Sequence, residues 1–112
     1  MGKAAQLASP AHHAQRLNLL GHICFWTSRF EDAEKYARQA LTIYDRGHEK
    51  HSSNHASSMM ALVEVIQMER SKIDECILLC REALRIFTRA LGSNHFRTLE
   101  AKYWLERLES TP

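Results

Sequence analysis

Three histidines crowd the stretch HEKHSSNH, His48 to His55, together with a glutamate and a lysine. Imidazole is a common metal ligand. The stretch could therefore hold zinc. Its spacing argues against zinc. In the H-E-x-x-H motif two histidines one helical turn apart share the metal and the glutamate between them serves as base. His48 and His51 stand one residue too close, and Glu49 lies outside the His51–His55 pair. Cys76 and Cys80 are one turn apart on any helix and read as small packing residues. Glu31-Asp32 and Asp74-Glu75 suit the first turns of helices, where the helix dipole favours negative charge. There is no glycine-rich phosphate loop and no motif around a serine or cysteine nucleophile. The expectation is no catalytic residue, no metal site, no cofactor, and no enzyme.

The elements that would position these side chains follow from composition and pattern. Of 112 residues, 45% are hydrophobic and 25% charged, the balance of an ordinary globular domain. A net charge of +2 with no Lys/Arg run gives no footprint for nucleic acid. No apolar run approaches the ~18 residues of a membrane span. The N-terminal MGKAAQLASPAHH has no apolar signal core. Three cysteines without a framework spacing favour a reducing compartment. A cytoplasmic chain is expected, with no membrane partner.

Internal repetition decides the fold class. YARQALTIY, residues 36–44, is echoed 43 residues later by LCREALRIF, residues 79–87. At the same offset Leu17 pairs with Met60, Leu20 with Val63, Phe30 with Ile73 and Ala33 with Cys76. SPAH at 9–12 precedes SSNH at 52–55 by 43, and SNH returns at 93–95. Each unit reads as two helices with apolar residues at helical spacing. The spacing predicts helices over Pro10–Trp26, Phe30–Arg46, Asn54–Glu69, Ile73–Leu91 and Asn94–Glu109, with stops at Gly47 and Gly92. No segment alternates with period two, so no strands are expected. Gly21, Ala33, Ala40 and Ala83 are small enough to let neighbouring helices approach closely. One hairpin cannot bury its own apolar face; stacked hairpins can. The expectation is an all-α, right-handed α-solenoid of about five helices. It would form a single domain over 9–109, with hairpins 9–50 and 52–92, a terminal helix 94–109 and a flexible segment 1–8.

The pattern Leu17-x2-Leu20-Gly21-x2-Cys24, then Phe30-x2-Ala33 and Ala40, resembles the tetratricopeptide repeat. ALRIFTRALGSNHFRTL at 83–99 looks like the kinesin-light-chain variety of that repeat, and the resemblance covers about 9–108. Glu64 and Trp104 stand where the first unit has Gly21, and Glu100 stands where it has Leu17. The last helix is therefore atypical, either a capping helix or the edge of a longer array. In this variety a histidine belongs to the entrance of each unit's first helix, behind capping residues. That explains His12, His55 and His95 together, whereas a metal explains only one of them.

The resemblance implies protein or peptide binding in a concave groove lined by first helices. Its positions here are Asn18, His22, Phe25 and Trp26 on the first helix; Ala61, Val65 and Met68 on the third; Ala101 and Leu105 on the fifth. Gln15, Ser58, Thr98 and Leu108 extend the same rows. Ala61-Val65-Met68 and Ala101-Leu105-Leu108 are apolar stripes. They admit three readings: an apolar or amphipathic segment of another protein, burial by homodimerisation, or packing in the core. With Asn18, His22 and Lys102 its only polar candidates, the groove lacks the cationic ladder that holds chaperone C-termini in other such repeats.

Overall fold

In the computed structural model, which describes residues 9–110, the chain enters its first helix through a serine cap. Ser9 Oγ accepts the His12 N–H at 3.2 Å, and Pro10 fills the first helical position, where a missing N–H costs nothing. This helix, α1 (Pro10–Trp26), buries Ala14, Leu17, Gly21 and Cys24 along one stripe. Thr27 closes it by donating its hydroxyl to the Ile23 carbonyl at 2.9 Å. Ser28 then turns through φ 64. Next comes α2 (Phe30–Arg46), with Glu31 and Asp32 in its first turn, and it buries Ala33, Ala37, Ala40 and Tyr44 against α1.

The approach of these two helices depends on side-chain size. A Cβ built on Gly21 would sit 3.4 Å from the Ala33 carbonyl oxygen and 3.7 Å from Tyr36 Cβ. Ala14, Leu17, Ala40 and Tyr44 close the core, with Tyr36 and Ile43 packed at its edge. The chain divides into two compact units in the loop after α2, one ending at Lys50 and the other starting at His51.

The second unit holds α3 (Ser53–Ile66), a 3-10 turn (Arg70–Lys72), α4 (Ile73–Leu91) and α5 (Phe96–Glu109). Helix α4 packs against both α3 and α5. Leu62, Val63 and Ile66 from α3 and Cys76, Cys80, Ala83 and Phe87 from α4 are buried. Arg81 of α4 pairs with Glu109 of α5 at 2.7 Å. Five α-helices and no strand occur among the described residues, so the chain is all-α. Segment 1–8 lies outside the described residues.

Two boundaries differ from those the pattern predicts. Helix α3 ends at Ile66 and not Glu69, because the chain tightens there: the Glu69 N–H reaches only to the Ile66 carbonyl, and the 3-10 turn follows. Helix α5 starts at Phe96 and not Asn94. His95 becomes the cap, its Nδ1 accepting the Arg97 N–H at 3.1 Å, while Thr98 Oγ1 donates to the Gly92 carbonyl at 2.8 Å. Gly92 itself has φ 91, a conformation that glycine adopts without a Cβ penalty.

Candidate functional site

The histidine-rich loop is placed by the cap of α3. Ser52 Oγ accepts the His55 N–H at 3.2 Å, repeating the Ser9 cap one unit earlier. The imidazole of His55 turns back, and its Nδ1 accepts the His51 N–H at 2.8 Å. His55 is buried, only 1% exposed, whereas His12 and His48 are exposed. His51 takes a left-handed backbone, φ 69, and its Nδ1 lies 3.6 Å from Glu82 Oε2 on α4. A hydrogen bond from Arg85 holds the Glu82 carboxyl below its ordinary range, against a smaller opposing effect of burial. The charge of Arg85 adds to the lowering. No three His, Cys, Asp or Glu side chains converge as a metal site among the described residues. The three aligned histidines do different work: His12 is exposed, His55 ties a turn, and His95 is itself a cap.

The cysteines are buried thiols. Burial pushes the Cys80 thiol up to about 12, helped by Cys76, so it is no nucleophile near neutral pH.

The groove positions fare differently in the two units. In the first, Asn18, His22 and Phe25 are half-buried and Trp26 is 77% exposed. The His22 and Trp26 rings stand 6.3 Å apart, and Phe25 meets Phe30 edge-on at 5.6 Å. In the second, Val65 is 7% exposed and Ala101 0%, so both are packed inside. Ala61 and Leu105 are half-buried, and Met68 is exposed in the turn beyond α3. The early end of α3 takes Met68 off the helical stripe it was assigned to.

Sequence pattern singled out Trp26 but missed the exposed apolar row on α1 that it belongs to. Leu19 is 60% exposed and Ile23 48%, and with Trp26 they follow one another at intervals of four and three residues. That spacing places them on one face of α1, opposite the buried Leu17–Gly21–Cys24 stripe. Arg16 is exposed on the same helix, and α1 contains no aspartate or glutamate. A signal was available: a helix apolar on two sides has more apolar surface than one neighbouring helix can cover. In the second unit Phe96, Leu99 and Tyr103 are exposed on α5. Arg107 there donates to Tyr103 Oη at 3.0 Å and lies over the Tyr103 and Trp104 rings.

A cleft of about 220 Å³ opens in the first unit between Pro10, Ile43, Tyr44 and Gly47. It brings no group of charged side chains together. Tyr44 stands in its wall, and burial, aided by the charge of Glu49, raises the tyrosine's pKa. No helix among the described residues is long and apolar enough to cross a membrane.

Comparison with known proteins agrees with the arrangement of α1 and α2. The family model described as Tetratricopeptide repeat matches residues 13–57, which takes in nearly all of α1, all of α2 and the first turn of α3. This match is consistent with the kinesin-light-chain variety. No curated protein matches the chain.

Proposed function

We propose that this chain, whose residues 13–57 match the tetratricopeptide-repeat family model, is a scaffold binding an apolar or amphipathic segment of a partner protein. Tetratricopeptide repeats are in general protein–protein interaction motifs. The observation that carries the finer reading is the Leu19–Ile23–Trp26 face of α1, a row of large apolar side chains open to water. Contiguous exposed apolar surface marks interaction sites, and exposed tryptophan is a frequent anchor. His22 stands beside Trp26, and the half-buried Asn18 and Phe25 of α1 add polar and aromatic surface to the proposed site. In the second unit the accessible groove positions are Ala61, Met68 and Leu105. Val65 and Ala101 are packed inside that unit. With Arg16 on α1 and no acidic residue in that helix, acidic groups flanking the apolar residues of the partner are favoured.

We read the chain as a non-enzymatic adaptor of the cytoplasm, without nucleic-acid or membrane partners. Ser9 and Ser52 are engaged structurally as caps, and Asp32 pairs with Arg29 at 2.7 Å. Buried thiols suit a reducing compartment.

Selection from a random peptide library on the immobilised chain tests the site. Peptides enriched on the wild type should lose about tenfold or more in affinity for Ile23→Glu and Trp26→Ala. The far-ultraviolet helix signal should persist in both variants. Selected peptides that bind these variants as tightly as the wild type would overturn the placement on α1.

A further inference from the structure

The first turn of α3 contains a titratable version of a common helix-start motif. In a capping box the N-cap serine accepts the N–H three residues on, while the side chain at that third position reaches back to the N-cap's own backbone N–H. Ser52 and His55 occupy these two places. The residue reaching back is usually glutamate or glutamine. Here it is His55, and its Nδ1 reaches one residue further back, accepting the N–H of His51. An imidazole accepts through Nδ1 only when neutral, with its proton on Nε2, because both nitrogens of imidazolium are donors. We propose that the His51–His55 bond is a pH-sensitive latch on the start of α3, closed while His55 is neutral and released when it is protonated.

Three features of the site favour release. His55 is 1% exposed, so a charge there would be poorly solvated. The carboxylate facing it from α4, Glu82, is already engaged by Arg85, with Arg85 Nε 3.2 Å from Glu82 Oε1. The backbone held by the latch is the left-handed His51, φ 69, a conformation uncommon outside glycine. A second titratable group, His51 itself, faces the same carboxylate at 3.6 Å and would be drawn to it on protonation. The latch therefore stands among Glu82 and Arg85 of α4 and His51 of the turn. His51 is also the first residue of the second unit.

Nuclear magnetic resonance on the full chain tests this. The tautomer and charge of His55 would be followed by ¹⁵N shifts from about pH 7.5 to about pH 5, the range over which imidazole ordinarily titrates. Amide exchange at His51, corrected for the intrinsic effect of pH, would be followed over the same range. The expected result is neutral His55 with its proton on Nε2 at the upper end. Protection at His51 should then fall about tenfold with the same midpoint as His55 protonation, as expected for one lost hydrogen bond. His55→Gln restores the usual capping-box residue and does not titrate, so its His51 protection should stay level. The wild-type coincidence of midpoints stands as a test even if that variant folds poorly. The latch is overturned if His55 stays neutral to the acid end, or if His51 protection ignores its protonation. It is equally overturned if His55→Gln loses protection as the wild type does, which would assign the change to the His51–Glu82 pair.

Discussion

Leu17 and Leu19 are two residues apart on α1 and sit in opposite environments. Leu17 closes the small core with Ala14, Ala40 and Tyr44, whereas Leu19 is largely exposed. Leu17→Ala removes packed atoms and leaves a cavity, so it should cost about 2–4 kcal/mol. Leu19→Ala should change stability by no more than about 0.5 kcal/mol. Urea midpoints of the two variants measure the contrast, and equal midpoints would mean that the two faces of α1 are not distinct. Histidine shows the same dependence on place. His12, His55 and His95 align in sequence, but only burial and the direction of a backbone N–H separate an exposed ring from a tied one.

At the level of helices, the seam between α1 and α2 turns on Gly21. A methyl group there would reach ordinary van der Waals contact with the Ala33 carbonyl oxygen, its nearest neighbour at 3.4 Å. Gly21→Ala should therefore be tolerated and gain up to about 1 kcal/mol from helix propensity. Gly21→Leu has no space at the same seam and should lower the melting temperature sharply. If Gly21→Ala proves as damaging as Gly21→Leu, the helices are closer than 3.4 Å from that position implies. The helices themselves were legible in the sequence. Ser9, Pro10 and Gly47 bracket the first pair, and Pro10–Trp26, Phe30–Arg46 and Ile73–Leu91 fall where periodicity places them. Where periodicity failed, local chemistry won. Glu69 became the extended residue before the 3-10 turn at Arg70–Lys72, and His95 replaced a serine or asparagine as cap. The candidate site was less legible. Spacing locates Val65 and Ala101 on a groove face, but it cannot say that neighbouring side chains bury them, nor that Ile23 and Leu19 are left uncovered.

For the whole molecule the open question is what covers the apolar side chains that its own helices leave bare. In the scaffold reading a separate protein covers them, and light scattering over a concentration series should give a constant mass of 12.9 kDa. A mass that rises toward twice that value, and falls back in Ile23→Glu, would transfer the site to self-association. Either outcome leaves the helices of each unit as they are, because the residues at issue are outside the Leu17 core.

The Leu19–Ile23–Trp26 face also bears on how long such a chain survives in a cell. Chaperones and proteases triage proteins by the apolar surface they display. A folded chain that displays such a row resembles an unfinished one until another molecule lies across it. Its abundance would then follow the supply of that molecule, with surplus copies removed, so that stoichiometry is enforced by turnover as well as by synthesis.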